Sequence, residues 1–192
     1  MNSSKGLREE LERIRRVSDM LCTGHANLRD HYAGMAFALD LAILALTTWL
    51  AALAFVAPTI NVSLTPFGMD VQVWVGLLSV GALFLAIVQL KTDWKARSEA
   101  HRRTLDIYSE VKREAGYLLA ADEVDEETCR RVLARYDTAS AAGVEIPERL
   151  FLGQKRRHMM KVAVSKHLDA HPGASIVLTR VRFWFRDNFG RD

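Results

Sequence analysis

Two sets of residues have types and spacings that could do chemistry, and they lie in very different surroundings. The first set centres on Asp40, the only charged residue between positions 33 and 57, where it interrupts the apolar stretch AFALDLAIL. The second set consists of cations far downstream, partly interleaved with aromatic residues. An ionisable residue inside an apolar helix is typical of an ion path, and cations beside aromatic rings are typical of phosphate and base binding.

Asp40 shares one helical face with small or polar residues. Small residues let membrane helices approach closely, and ionisable residues in such helices face other helices or water. We therefore predict a pore-lining stripe, whose candidate residues are Asp40, Thr47, Ala36 and Ala51. The alternative is an acid at the level of the lipid headgroups, where Arg29 or Lys91 would neutralise it. The pattern leaves both interpretations open.

The downstream cations are concentrated in GQKRRHMMKVAVSK and in the tail that follows it. Cations of this density bind either nucleotide phosphates or anionic lipid headgroups, and a solvated basic surface would show the same pattern. We predict an anionic ligand, a nucleotide or an anionic lipid. The candidate ligand residues are Lys155, Arg156, Arg157, Lys161, Arg180, Arg182, Arg186 and Trp184.

Catalytic patterns do not accompany these residues. The sequence has no phosphate-binding glycine loop, no nucleophile elbow and no paired-histidine motif. Its six histidines are scattered among charged residues, and Cys22 and Cys129 lack the spacing of a metal site or a redox pair. We therefore expect a protein that is not an enzyme, with no cofactor and no bound metal.

The sequence has two long apolar runs, of which the first contains Asp40. The first covers residues 33–57 and the second, which has no charged residue, covers residues 71–90. Because a helix rises about 1.5 Å per residue, about 20 residues cross a hydrocarbon core of about 30 Å. We predict that both runs are transmembrane helices. Cations precede the first run and follow the second, whereas the loop 58–70 has none, so both termini are predicted to be cytoplasmic.

The charged segments around the spans are predicted to be helical. Residues 1–32 form an amphipathic N-terminal helix, and residues 91–171 form a cytoplasmic helical region. No proline follows the second span for more than 50 residues, so that span should continue as a long helix. The basic-aromatic tail, residues 172–192, fits either a strand or a helix. The predicted fold is an all-α membrane protein: a two-helix transmembrane hairpin with a cytoplasmic helical bundle.

Within the long region, a helix is predicted from about Glu126 to Ala142. Acidic residues at its start favour the helix dipole, and Gly143 ends it. A further helix starts at Pro147 and stops at the sequence HPG.

This layout resembles the SLATT family of two-span bacterial membrane effectors. The resemblance covers roughly residues 7–165 and is carried by HANLRDHY before the first span and DWKARSEAHRRTLDIYSEVKREAGYLL after the second. It implies a pore-forming effector of anti-phage defence in the bacterial inner membrane, which depolarises the cell and causes growth arrest or death. It also implies gating by a nucleotide or oligonucleotide that a neighbouring nucleotidyltransferase-type enzyme makes. No ligand residue is carried over by position.

Two spans cannot enclose an aqueous pore, so a channel requires assembly of several copies. About eight helices, and therefore a homotetramer, is the smallest comfortable number under closed cyclic symmetry. The alternative function is a membrane-anchored scaffold or binding protein whose cytoplasmic helices recruit a partner.

Overall fold

The computed structural model describes residues 2–55, 65–121 and 125–190 of the 192-residue chain. Over these ranges the protein is helical and contains no strand, as predicted. A short 3-10 turn covers Pro66–Gly68. The α-helices are α1 (Asn2–Phe55), α2 (Val71–Thr92), α3 (Trp94–Ala120), α4 (Glu126–Ala142), α5 (Glu148–Ala170) and α6 (Ile176–Phe189).

Two helical segments are long and apolar enough to cross a membrane. They contain residues 33–55 of the first predicted span and all of the second, whereas residues 56–57 lie outside the described residues. Large apolar side chains along them are exposed, including Phe37 at 68%, Leu44 at 62% and Phe84 at 62%. Lipid tails would cover such side chains, whereas water would not. These segments favour association with a membrane. Most of the predicted loop, residues 58–64, lies outside the described residues.

Helices α2 and α4 begin at aspartate caps. The carboxylate of Asp70 accepts from the backbone N–H of Gln72 at 2.7 Å, and that of Asp125 accepts from the backbone N–H of Thr128 at 2.9 Å. Each cap satisfies a backbone donor that the first helical turn leaves unpaired. The predicted bounds of α4 are confirmed, since its capped start is followed by acidic residues and its end by Gly143.

The helix after the second span is interrupted at one residue, so the prediction of an uninterrupted helix is wrong there. Asp93 adopts a left-handed conformation with φ 43° and ψ 47°, which separates α2 from α3. Aspartate tolerates this conformation better than most residues. The carboxylate of Asp93 also accepts from the backbone N–H of Ala96 at 3.4 Å, so it caps the start of α3.

The basic-aromatic tail forms helix α6, which decides between the two conformations that the sequence left open. The ring of Phe183 packs edge-on against His167 of α5, with 5.8 Å between the ring centroids. Thr179, one turn earlier, is buried. Residues spaced by four share one side of a helix, so this side packs within the protein.

The chain divides into two compact units, one of residues 1–28 and 100–192 and the other of residues 29–99. In the first unit, a core of nearly inaccessible side chains joins α1, α3 and α4: Leu11, Ile14, Val111, Ala115, Cys129 and Val132. In the second unit, Ala36, Leu39 and Leu53 of α1 are buried, and a Cβ at Gly81 of α2 would lie 3.7 Å from Leu46. Each unit therefore has packed helices of its own.

Candidate functional site

The first unit contains an open groove of about 650 Å³, which we call the basic groove. Cavities of this size are in the range that binds small ligands. Helices α1, α5 and α6 all contribute to its lining, which consists of Thr23, Asn27, Arg156, Arg157, Met160, Lys161, Arg180, Val181 and Trp184.

Four residues of this lining are cationic and none of the described lining residues is acidic. Arg156, Arg157 and Lys161 lie within six residues of α5, at spacings that place them on one side of a helix. Arg180 adds a fourth cation from α6. Clefts lined by charge of one sign concentrate counter-ions, so the basic groove is arranged to attract an anion.

Asn27 of α1 is positioned by two contacts with α5. Its Nδ2 donates to Oε1 of Gln154 at 3.0 Å, and its Oδ1 accepts a hydrogen bond from Arg157. One turn earlier, Thr23 Oγ1 and His158 Nδ1 lie 3.1 Å apart. These contacts hold an amide and a guanidinium side by side on the groove wall.

Gly24, on the same stretch of α1, lies close to Ile146 and Gln154. A Cβ added to Gly24 would lie 2.7 Å from Cδ1 of Ile146 and 3.6 Å from Cβ of Gln154. The first distance is shorter than a carbon–carbon contact allows, so a side chain at this position would displace Ile146.

Five of the eight predicted ligand residues are brought together in the groove: Arg156, Arg157, Lys161, Arg180 and Trp184. The other three, Lys155, Arg182 and Arg186, do not line it. Arg186 instead pairs with Asp187 at 2.9 Å, and its guanidinium lies 4.8 Å from the ring centroid of Phe183.

Helical geometry explains this division. Successive residues of a helix are rotated by about 100°, which places Lys155 on the side of α5 opposite Arg156, Arg157 and Lys161. The alternation of Arg180 and Arg182 would put them on one face of a strand, but α6 turns them to different faces. The sequence prediction missed Thr23 and Asn27, whose only signal was the polar character of the stretch before the first span.

Asp40, in the second unit, has two partners, one cationic and one neutral. Nε2 of Gln89 donates to its carboxylate at 2.5 Å, and Nζ of Lys95 lies 2.7 Å from the other carboxylate oxygen. We call these three residues the Asp40 cluster, which borders a small cavity of about 50 Å³. Neither Arg29 nor Lys91, the partners expected for an acid at headgroup level, takes that role: Arg29 pairs with Asp30 at 2.7 Å.

The predicted pore-lining stripe is divided between two environments. Ala36 is buried and Asp40 is half-buried, whereas Thr47 and Ala51 are exposed. The hydroxyl of Thr47 donates to the backbone carbonyl of Ile43 at 2.9 Å, so part of its polarity is satisfied within α1.

His25 and His101 form a buried pair in the first unit, with their Nδ1 atoms 3.0 Å apart. One ring must donate and the other must accept, so the contact requires neutral imidazole on the accepting side. Burial, reinforced by the neighbouring His101, lowers the pKa of His25 to about 4. Burial also lowers the pKa of His101. The ring of Tyr108 stacks on His25 with a centroid separation of 5.8 Å.

The two cysteines are free thiols. Burial raises the pKa of the Cys22 thiol to about 11, so this thiol is protonated near neutral pH and a weak nucleophile. Among the described residues, no group of three or more histidine, cysteine or acidic side chains is placed to hold a metal ion.

Comparisons with known proteins add no assignment: no protein-family model matches the chain, and no curated protein or solved structure matches it. The resemblance to the SLATT family therefore stays a prediction.

Proposed function

We propose that the chain is a pore-forming membrane protein that assembles as a homo-oligomer and is gated by a nucleotide or oligonucleotide bound in the basic groove. The observation that carries this proposal is the convergence of four cations and an indole ring on one groove in a chain with two potential membrane spans. The proposed setting is the bacterial inner membrane with both termini in the cytoplasm, where a defence signal of this kind would be made.

The lining of the groove supports a nucleotide as the ligand class. Guanidinium groups bind phosphate oxygens through paired, charge-assisted hydrogen bonds, and Arg156, Arg157 and Arg180 offer three of them. The indole of Trp184 offers a face on which a base can stack, and such stacking contributes about 1–3 kcal/mol per base. A nucleotide carries both a phosphate and an aromatic base, so it would contact both the arginines and the indole ring.

The continuity of α1 supports coupling between the ligand and the membrane. Thr23 and Asn27 line the groove on the same helix that carries Asp40. A ligand that draws Asn27 and Arg157 towards its phosphates would act directly on this helix. Gating of this kind needs two arrangements of α1 that the ligand binds with different affinity.

Assembly of several copies would supply the helices that surround a pore, which the two spans of one copy cannot enclose. We propose that the exposed residues Thr47 and Ala51 meet neighbouring subunits or the lumen, since small and polar residues allow close contact between membrane helices. The Asp40 cluster would then lie beside the conduction path, and a tetramer is the smallest assembly that provides about eight helices.

Ion flux from vesicles tests the proposal directly. The purified chain is reconstituted into liposomes that contain an entrapped dye, and a panel of mono-, di- and oligonucleotides is added. We expect one class of nucleotide to change the flux, and we expect the paired variant Arg156→Gln with Lys161→Gln to abolish that response. Its matched control is Arg149→Gln with Lys166→Gln, which removes two exposed cations of α5 outside the groove. Vesicles that stay tight with every nucleotide contradict the channel.

A membrane-anchored binding protein is the second candidate, and the Asp40 cluster favours it. A carboxylate that is already paired with Lys95 and Gln89 fits a structural contact as well as a lumen. In that case the groove would bind its ligand normally while the vesicles stay tight, so binding and flux measured on the same sample separate the two functions.

A further inference from the structure

Helix α6 has an apolar face that the described part of the protein leaves uncovered. The side chains on this face recur at spacings of three and four residues, which places them along one stripe. Leu178 is exposed at 70%, Phe189 at 68% and Val177 at 67%. The full apolar stripe consists of Val177, Leu178, Val181, Trp184, Phe185 and Phe189.

Arginines border the stripe on both sides. By helical spacing Arg180 is next to Val177 and Trp184 on one edge, and Arg182 is next to Leu178 on the other. Among the described residues, no acid pairs with Arg180 or Arg182, and Asp187 pairs with Arg186. An apolar band between rows of cations is the pattern of helices that lie on anionic membranes.

We infer that α6 is an interfacial helix that lies on an anionic lipid surface. The stripe residues outside the basic groove, Val177, Leu178, Phe185 and Phe189, lie among the acyl chains, and Arg182 lies among the headgroups. The helix has 14 residues, about 21 Å at 1.5 Å per residue, which is too short to cross a bilayer. At a membrane its orientation is therefore along the surface. Phe183 and Thr179, on the opposite side, keep it attached to the rest of the first unit.

The charge of the stripe argues against a second copy of the chain as its cover. Two identical stripes packed face to face would bring their bordering arginines together, and like charges at close range are unfavourable. An anionic surface supplies the opposite charge, at about 1 kcal/mol for each cation near it. Two potential spans would tether the chain to a membrane, so even weak partition of α6 is effective.

This inference is independent of the proposed channel, since it requires only that the chain reside at a membrane. The residues of the groove and those of the stripe overlap only in part. Arg180, Val181 and Trp184 lie at the shared edge of the groove and the stripe, whereas Leu178 and Arg182 belong to the stripe and not to the groove. Variants of the latter two report on lipid without removing a residue of the groove.

The test places an environment-sensitive fluorophore on the stripe of the full-length protein. The background is Cys22→Ser with Cys129→Ala, checked for helix content by circular dichroism, and the fluorophore is attached at Phe185→Cys. A control fluorophore is attached at Leu152→Cys on α5. The protein is reconstituted into vesicles of phosphatidylcholine alone or with added phosphatidylglycerol, and quenching by brominated lipid is measured.

We expect brominated lipid to quench the probe at position 185 in anionic vesicles, and to quench it less in neutral vesicles or at high salt. Arg182→Gln should weaken the partition about fivefold, the equivalent of one cation at the surface. Leu178→Ser should weaken it about tenfold, through loss of apolar burial. The matched controls Arg149→Gln and Leu152→Ser should leave the quenching unchanged, since Leu152 is exposed at 74% but lies outside the stripe.

Two results would overturn the inference. One is a probe that lipid does not quench in any vesicle. The other is a probe that is shielded from water but unquenched, with shielding that increases with protein concentration, because that result identifies a second copy as the cover of the stripe.

Discussion

The basic groove and the Asp40 cluster both place charge beside α1, but only the cluster compensates its charge within the protein. Asp40 has a cation within 2.7 Å and an amide within 2.5 Å. The groove has four cations and, among its described lining residues, no acid. A compensated charge is explained by the fold that holds it, whereas an excess of one sign has to be balanced from outside. The groove is therefore the stronger candidate for ligand binding.

Reversal of charge in the groove gives the largest expected effect. Each charge-assisted hydrogen bond contributes about 1.5–3 kcal/mol, so Arg156→Glu with Lys161→Glu should weaken binding of an anionic ligand by about a hundredfold or more. Calorimetry on the detergent-solubilised protein measures the affinity. The control pair Arg149→Glu with Lys166→Glu introduces the same charges on α5 outside the groove and should change the affinity only slightly. Equal losses in the two pairs would mean that net charge, and not the groove, binds the ligand.

The histidine pair is a third case, in which polar side chains are buried in their neutral form. It gives the next largest expected effect, on the pH dependence of stability. The pKa of His25 is lowered to about 4 in the folded protein, from about 6.5 when the chain is unfolded. Between these values the unfolded chain binds more protons, so the free energy of unfolding falls as pH is lowered from 6.5 to 4 and is unaffected by this group above 6.5. The loss should be roughly 3 kcal/mol.

Thermal unfolding in detergent, followed by circular dichroism across that pH range, measures this effect. His25→Asn keeps a polar atom near the position of Nδ1 but does not titrate. It should therefore reduce the pH dependence and leave the part that comes from His101, whose pKa burial also lowers. His31→Asn makes the same substitution at an exposed histidine of the same helix and serves as the matched control. A slope that is unchanged in His25→Asn would assign the titration to another group.

The Asp40 cluster gives the smallest effect on stability. The side chains of Asp40 and Lys95 are 37% and 67% exposed, so solvent screens their attraction and the coupling in a double-mutant cycle of Asp40→Asn with Lys95→Met should be at most about 1 kcal/mol. Conductance in liposomes is the more informative measurement. A change in ion selectivity with Asp40→Asn would place the carboxylate beside the lumen, and unchanged selectivity would make the cluster a structural contact.

The helical fold and the two apolar segments follow from local properties of the sequence, which is why they were predicted. The start of α4 depends on a cap and adjacent acids, and the spans depend on length and hydropathy. Asn27 and Thr23 could not be assigned to the groove in the same way, because their partners Gln154 and His158 lie more than 120 residues away. Such contacts depend on tertiary packing, which a single sequence does not reveal.

The ion pair of Asp40 was missed for a related reason. On an unbroken helix Gln89 and Lys95 would be about 120° apart around the axis, so they would not be expected to reach the same carboxylate. Lys91 was the nearer cation in the sequence, and the left-handed residue between Gln89 and Lys95 leaves the apolar periodicity on either side unchanged. Nothing in the hydrophobic pattern marks it.

Asp93 affects which side chains of the two adjoining helices, α2 and α3, are buried. The left-handed residue Asp93 changes the direction in which side chains point from α2 to α3. The side of α3 that packs in the core is therefore not fixed by the side chains of α2. Helix α2 has no buried residue, whereas α3 buries a seam that includes His101, Tyr108 and Val111. In one unbroken helix, the buried side would follow a single helical repeat through the lipid-facing segment and the packed segment alike. The break allows one pattern suited to lipid and another suited to a packed core, at the cost of about 1–2 kcal/mol of backbone strain.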